Sequence, residues 1–386
     1  MLRTPGARAL ARQGSRAGQR WLTTAGQRAI RVEQPTDFER AFDSTDRYAA
    51  VDGRGLIEVA GADAAEFLQG MHCNSMSRIE QHGAATAFLT PQGRVTADAF
   101  VYPSAAASQA PAFLVEVDAR AREHLLRTLT FYKLRAKVAI RDVSDEYKVW
   151  SVWGPGATAR LGGSAGHVWA QDGRAPGMGL RVVTARDALE LPAGFEQRAA
   201  SEYRLRRILK GVAEGADDFV QGVAVPLECN MDYMEGVDFE KGCYVGQELT
   251  IRTHHRGVVR KRLVPALFGR ATPTYDGTRN PLQIDCAGAP EIGPQTDVER
   301  VDRGSSEARD QQQQQRARRR VVPGKMGSTA CNAGLVLMRL EHVQEYVAQQ
   351  TQAPGAGAVV FQTASVGGEP AFVSPWLPSW WPPVIT

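Results

Sequence analysis

The chain has 386 residues, 43% of them hydrophobic and 23% charged, which is an ordinary balance for a globular protein with room for two or three packed domains. No uninterrupted apolar run is long enough to cross a bilayer, which argues against a membrane-spanning role. The formal net charge of +4 is unevenly placed: residues 1–31 carry seven arginines and no Asp or Glu. Subtracting those seven from the 46 basic residues leaves 39 against 42 acidic ones, so the body is slightly acidic and gives no general electrostatic case for nucleic-acid binding.

Taken from the N-terminus, Arg8, Arg12, Arg16 and Arg20 recur every four residues and share one helical face. An arginine-rich, acid-free segment carrying Ser and Thr reads as a mitochondrial transit peptide over 1–31; a secretory signal needs an apolar core. Five cysteines follow at wide spacing: Cys73, Cys229, Cys243, Cys286 and Cys331. None forms a C-x-x-C pair, and the odd number points to free thiols rather than a disulfide framework. A zinc or iron–sulfur site built wholly within the chain has little support from this pattern.

Gly55–Val59 predicts a strand, leading to a helix from Asp63 with Glu66 placed as in a capping box. Thr86–Tyr102 predicts a hairpin turning at Pro91-Gln92-Gly93. After the turn, Val95, Ala97, Ala99 and Val101 face one way and Arg94, Thr96, Asp98, Phe100 and Tyr102 the other. Asp is depleted inside strands, so Asp98 calls for an explanation. Phe113–Val117 predicts a strand, Asp118 caps a helix running through Leu129, and Leu134–Ile140 and Tyr147–Trp153 predict two more strands. A strand near 180–184 and a helix over 196–210, stopped by Gly211, close an α+β region.

The region from 257 differs. Val258–Phe268 and Gly334–Leu340 read as strands with no long helix assured, which favours a small β-barrel over 257–365. Within it, 290–322 holds five consecutive glutamines and a run of arginines, and reads as a disordered insertion. The tail, 366–386, carries Trp376, Trp380 and Trp381 and is expected to strap across the body.

The densest collection of unusual residues is Lys241-Gly242-Cys243-Tyr244-Val245-Gly246-Gln247-Glu248. Gly242 and Gly246 bracket the cysteine and allow tight turns and close approach. A helix beginning at Gln247 would put Cys243 near its positive end, and that end together with Lys241 would favour the thiolate. The residues alone leave two readings open, an activated thiol or a buried packing cysteine.

Lys241, Gly242, Cys243, Tyr244, Gly246, Gln247 and Glu248 all match K-G-C-Y-x-G-Q-E, and the stretch resembles the signature of the YgfZ branch of the GcvT-like folate-binding family. Phe67-Leu68-Gln69-Gly70, Gln92-Gly93-Arg94, Tyr132–Val138, Pro226–Asp232, Gly257–Leu263 and Gly334–Leu340 resemble family landmarks in the same order, covering roughly 40–365. One departure is Cys73-Asn74-Ser75, where the family has Thr-Asn-Asp. With a transit peptide in front, the resemblance narrows to the mitochondrial Iba-type iron–sulfur assembly factors.

That resemblance implies an α+β, aminomethyltransferase-like fold with interleaved N-terminal subdomains over 40–256 (106–199 inserted) and a C-terminal β-barrel. It implies a matrix protein that supports maturation of [4Fe–4S] apoproteins, aconitase-like enzymes and the radical-SAM enzymes of lipoate and biotin synthesis. A-type carriers are its implied partners, with neither nucleic acid nor a membrane span involved. A lone cysteine cannot complete the usual four-thiolate set, so a [2Fe–2S] or [4Fe–4S] cluster would be held at Cys243 only transiently, shared with a partner. The alternative implied by the same resemblance is a tetrahydrofolate-dependent aminomethyl transferase, with Asp98, Glu228 and Tyr102 as folate contacts.

Overall fold

A computed structural model describes residues 42–104, 110–161, 168–185, 189–270, 284–302, 322–350 and 359–382. The arginine-rich segment 1–31 and residues 303–321 of the polar insertion lie outside the described residues. The strands are β1 (Arg47–Ala50), β2 (Arg54–Ala60), β3 (Ala84–Leu89), β4 (Val95–Pro103), β5 (Ala112–Asp118), β6 (Ala139–Asp142), β7 (Tyr147–Trp153) and β8 (Val168–Gln171). They continue as β9 (Leu180–Ala185), β10 (Glu196–Arg198), β11 (Lys261–Gly269), β12 (Asp297–Asp302), β13 (Gly324–Ala330), β14 (Ala333–Arg339), β15 (Val359–Ala364) and β16 (Pro370–Pro375). The helices are α1 (Ala64–Gln69), α2 (Met76–His82), α3 (Ala119–Tyr132), α4 (Ala157–Leu161), α5 (Ala200–Leu209), α6 (Gln247–Arg256) and α7 (Leu340–Gln350).

Three sheets result. One has the order β3-β4-β5-β2-β6, a second has β10-β1-β7-β9-β8, and β11-β14-β13-β12-β15-β16 closes into a barrel. The expected α+β region followed by a β-barrel is therefore what the chain forms. The N-terminal units are interleaved, since β1 precedes the first sheet but pairs with β7 and β10 of the second. The exchange point falls between β6 and β7 rather than at 106, because β4 and β5 are hydrogen-bonded neighbours and cannot belong to different units.

Both faces of β4 are buried. Ala97, Ala99 and Val101 pack with α1, α2 and α3 side chains, whereas Phe100 and Tyr102 join the central core between the two sheets. Asp98 lies on that second face, and its place there is explained by charge. Arg54 Nη1 reaches Asp98 Oδ2 at 3.1 Å, and the same guanidinium's Nε reaches Glu116 Oε1 at 2.7 Å. Glu116 also receives Arg181 of β9, whose Nη2 donates at 2.5 Å and whose Nε donates at 3.1 Å. Beyond them, Glu214 takes Arg174 at 2.9 Å, Arg181 at 3.1 Å and the Tyr203 hydroxyl at 2.7 Å. Arg207 of α5 continues the chain of charges to Asp218 at 2.9 Å and to Ser328 of the barrel at 3.0 Å. One buried network thus fastens the first sheet, the second sheet, α5 and the barrel.

Several expectations are corrected. Residues 134–138 are irregular and only Ala139–Asp142 pairs as a strand. Asp63, placed to cap α1, makes no side-chain bond to that helix; its Oδ2 instead accepts from Lys137 N at 2.7 Å and holds the loop off the sheet. The C-terminal region does contain a helix, α7, packed on β14, β15 and β16. Residues 297–302 of the polar insertion are ordered as β12, paired with β13 and β15, because closing the barrel needs that strand. The tail is not only a strap: β16 pairs with both β11 and β15, and Trp380 Nε1 then donates to Lys210 O at 2.8 Å. Cys286 and Cys331 form a disulfide across 45 residues, leaving Cys73, Cys229 and Cys243 as free thiols. Their pairing had no local signal, since the barrel brings the two segments together, with Asp285 N donating to Asn332 Oδ1 at 2.9 Å. Among the described residues no helix is long and apolar enough to cross a membrane.

Burial alone would push the Glu116 carboxyl up, but the charges of Arg181 and Arg54 outweigh it and hold the group at about 2. A folded value below the ordinary 4.5 means that this contribution to stability is present above pH 4.5 and is lost as pH falls toward 2. Glu116→Gln should lower the unfolding free energy at pH 7 by about 3–5 kcal/mol, since it leaves two buried guanidiniums short of a counter-charge. Denaturant titrations of both proteins from pH 7 to pH 2 measure this; equal stability at pH 7 would contradict the role given to Glu116.

Candidate functional site

The segment Lys241–Glu248 runs over the surface of the first sheet and turns into α6 at Gly246, which adopts a left-handed conformation with φ of 79°. Glycine is required there on two counts. The φ is one that side chains resist, and a Cβ would stand 2.2 Å from Thr90 O and 2.8 Å from Leu89 Cβ. Gly93 at the hairpin tip is its counterpart, with φ of 79° and a would-be Cβ 2.9 Å from Gly246 O and 2.6 Å from Leu249 Cβ. Two glycines therefore let the β3–β4 turn and the start of α6 touch backbone to backbone. Gly242 differs: nothing lies within 4 Å of the position a Cβ would take, so its space is open to an approaching molecule.

The lysine does not serve the exposed cysteine as the sequence suggested. Lys241 Nζ donates to Gln69 O at 2.7 Å, His72 O at 2.6 Å and Asn74 O at 2.6 Å, which uses all three ammonium protons on the backbone of one segment. It also lies 4.9 Å from the centre of the Tyr244 ring. Burial lowers its pKa to about 8, with Cys73 and Asp238 opposing. Burial also pushes the nearby Cys73 thiol up to about 12, with Lys241 opposing, so that thiol keeps its proton. The hydroxyl of Tyr244 is likewise raised by burial. Asp238 N donates to Cys73 O at 3.0 Å, Val245 N donates to Gly70 O at 3.0 Å, and Tyr244 N and Gln247 N each bond across the turn, to Gln247 Oε1 and Tyr244 O at 3.3 Å.

The supporting segment is itself fixed. Asn74 Nδ2 donates to Ala85 O at 2.8 Å and Glu235 O at 2.9 Å, and its own N–H donates to Thr86 Oγ1 at 3.0 Å. His72 is buried, and desolvation followed by the Lys241 charge holds its pKa well below the usual range. The neutral ring then has Nδ1 free to accept from Asn74 N at 3.2 Å, and Nε2–H against Met76 Sδ at 3.2 Å. Sequence reasoning named the motif but missed Gln69, His72 and Asn74, which act through main-chain carbonyls and an amide. The only signal was that Phe67-Leu68-Gln69-Gly70 and the Cys73-Asn74-Ser75 departure lie there.

The result is a loop tied down at Lys241, Tyr244, Val245 and Gly246, with the Cys243 thiol exposed between them. Tyr244 is buried, Val245 packs into the first-sheet core, and Glu248 stands exposed in the first turn of α6. Cys73 and Cys229 are buried and the other two cysteines are joined, so Cys243 is the one exposed free thiol among the described residues. No group of three or more His, Cys, Asp and Glu side chains that could hold a metal converges among those residues.

The three folate candidates are not brought together. Asp98 borders an internal slot with Thr86, Phe100, Arg174, Met231 and Met234, but the slot's volume is only ≈ 10 Å³, about the space of one water. Its carboxylate is already engaged by Arg54 and by Gly215 N at 3.2 Å. Tyr102 is buried with its hydroxyl donating to Glu116 Oε2 at 2.6 Å, so it is not presented to a ligand. Glu228 does not line the slot; it is half-buried near Lys261 and Arg94, with burial raising its pKa against those two charges. A pterin ring does not fit these residues as they stand.

Comparison with known proteins matches this architecture. Residues 49–181 match the GCVT N-terminal domain family, and residues 260–383 match the family of CAF17 C-terminal β-barrel domains. The chain is 36% identical over 353 residues to the mitochondrial iron–sulfur cluster assembly factor IBA57 homolog of Mycosarcoma maydis, covering 88% of this chain and 86% of that one. The protein of the same description from Aspergillus oryzae is 38% identical, covering 81% of this chain and 74% of the relative. Among solved structures, the glycine cleavage system aminomethyltransferase T of Bartonella henselae superposes with a TM-score of 0.58 at 11% identity, over 90% of this chain and 89% of that one. Fold and sequence together define a protein of the aminomethyltransferase-like class. Within it, the chain belongs to the family of mitochondrial IBA57 iron–sulfur cluster assembly factors.

The clamp makes two expected outcomes. Gly246→Ala should lower stability by about 2 kcal/mol or more, from left-handed strain and collision with Thr90 O, as a fall in melting temperature. Lys241→Met removes the three carbonyl bonds, so the amides of Asp238 and Val245 should exchange hydrogen at least tenfold faster while barrel amides stay unchanged. Unchanged exchange at those two amides would disprove the clamp.

Proposed function

We propose that this chain is a matrix iron–sulfur cluster assembly factor in which Cys243 supplies one thiolate to a cluster shared with an A-type carrier, supporting maturation of [4Fe–4S] apoproteins. The observation that carries this reading is the contrast between Cys243 and everything around it. The lysine, tyrosine, glutamine and second glycine of the motif are spent on holding the loop, whereas Gly242, Cys243 and Glu248 are left exposed, and of these only the cysteine carries a thiol.

A cluster is usually held by four thiolates, and this chain presents one. The remaining ligands come from the partner, and on binding the Cys243 thiol gives up its proton to solvent as its sulfur bonds iron. The open space at Gly242 gives the partner's backbone or cluster room beside that sulfur. The rigid clamp beneath fixes where the sulfur stands, which reduces the entropy lost when the shared site forms. Clients of the aconitase and radical-SAM types follow from family resemblance and enter only downstream of this complex.

The transferase reading has less behind it. Asp98 and Tyr102 are committed to the buried charge network, Glu228 lies apart, and the slot beside Asp98 holds about one water. No reaction step is assigned to folate.

The test is anaerobic reconstitution of the carrier with wild-type and Cys243→Ala protein, followed by visible absorption, circular dichroism and electron paramagnetic resonance. Loss or displacement of the mixed-complex cluster signature in Cys243→Ala is the expected result; identical spectra would remove the ligand role. Titration calorimetry with tetrahydrofolate should give no heat, and saturable heat abolished by Asp98→Asn would restore the folate reading.

A further inference from the structure

Next to the cysteine loop lies a surface that the cluster chemistry does not use. The C-terminal turn of α3 and the residues after it leave Phe131 74% exposed and Leu134 85% exposed, where large apolar groups usually find cover. Leu134 also has φ of 44°, a left-handed conformation that leucine resists, so the backbone is held in an unfavourable shape that ends in an exposed apolar side chain. Phe131 borders a groove of ≈ 320 Å³ together with Leu89, Pro91, His124, Arg127 and Tyr132.

This groove is continuous with the candidate site. Thr90 and Pro91 at the hairpin tip line it on one side, and Gly93 of the same turn meets Gly246 and Leu249 on the other. Tyr132 beside the groove and Val245 beside Cys243 pack into the same apolar cluster.

The charge around it is one-sided. Residues 127–141 contain no Asp or Glu, nor does the hairpin tip 90–94. Among the described residues no carboxylate forms an ion pair with Lys133 or Arg135, or with Arg252, which stands one turn beyond Leu249 on α6. The Arg94 guanidinium donates to Val223 O at 3.0 Å and lies close enough to Glu228 to act on its carboxyl. Against them stand Glu123, already paired with Arg127 at 2.7 Å, Asp63, whose carboxylate is taken by Lys137 N at 2.7 Å, the half-buried Glu228, and the exposed Glu248. Surface cations near an apolar groove, three of them without an ion-pair partner among the described residues, complement an acidic surface with an apolar projection, and such a surface gains both steering and a buried anchor.

We propose that the groove between α3 and the β3–β4 turn, with Arg94, Lys133, Arg135 and Arg252 around it, is the docking face for an acidic protein that inserts a large apolar side chain beside Phe131. This rests on the reading of Cys243 as one ligand of a shared cluster, and it assigns the neighbouring face to the protein that brings the other ligands. Affinity then comes from the groove and its cations, and cluster ligation from the cysteine.

An A-type carrier, apo and cluster-loaded, is the probe, with affinity measured by calorimetry against the full mature chain at two salt concentrations. Lys133→Glu/Arg135→Glu should weaken binding at least tenfold and flatten its salt dependence. Phe131→Ala should weaken it about tenfold with the salt dependence intact, and both variants should keep the wild-type melting temperature and Cys243 alkylation rate. Cys243→Ala separates the two ideas. If it keeps the affinity but its spectrum equals wild type, the ligand reading falls and the docking face stands; if both surface variants bind as wild type does, the docking face falls and the ligand reading stands. A wild-type chain that does not bind the carrier overturns the docking face. Preferential binding of poly(U) RNA, duplex DNA or anionic phospholipid vesicles, lost on the same charge reversal, would overturn it as well.

Discussion

The contact on which the rest of the molecule depends is the buried carboxylate of Glu116 between Arg54 and Arg181. It joins two strands of the first sheet to the middle of the second, and through Glu214, Arg174 and Arg207 it reaches α5 and the barrel. Paired buried charges contribute little net stability compared with apolar packing of the same volume, but their geometry tolerates no sliding. A sheet-on-sheet interface made only of side chains such as Phe100 and Ala170 could settle in several offsets. One carrying a bidentate guanidinium–carboxylate pair has a single register. The loop bearing Cys243 is laid on that first sheet, where Gly93 meets Gly246 and Val245 N bonds Gly70 O.

The same interior engages two of the three residues that the family resemblance suggested as folate contacts. An acid that reads a pterin edge has to be available, and Asp98 is already the second acceptor of Arg54. Tyr102 is bonded to the same Glu116 carboxylate. The central polar groups of this chain are bonded to one another. On the outside stands the exposed thiol of Cys243, in a loop whose Lys241 is bonded to the 69–74 carbonyls.

Much of this was legible in the sequence, and the parts that were not share a cause. Local signals were sound wherever neighbours in sequence decide structure: the turn at Pro91-Gln92-Gly93, the Asp118 cap, which accepts from Arg120 N at 2.8 Å, and the helix starting at Gln247. They misled where a distant partner decides. Asp63 left its own helix for Lys137, Lys241 turned away from Cys243 to the 69–74 carbonyls, and Cys286 found Cys331 only once the barrel had formed. Asp98 looked like a ligand-reading acid because an acid inside a strand demands a reason; the reason was Arg54, 44 residues away in the chain. Glu116 and Arg181 carried the same signal, charges within apolar strands, and their meaning depended on knowing that β5 and β9 face each other.

The closure of the barrel has a consequence for the order in which the protein can mature. β16 is the strand that joins β11 to β15, and it comes about a hundred residues after β11 in the chain. Until it arrives, both of those strands present unpaired backbone edges, the kind of surface that recruits other chains. A polypeptide delivered N-terminus first would therefore complete its two N-terminal sheets well before its barrel could shut. A premature stop between Ala364 and Pro370 would leave the cysteine loop and its clamp encoded, but on a molecule with two open seams. Loss of such a variant should come from aggregation and clearance, with its chemistry never put to use.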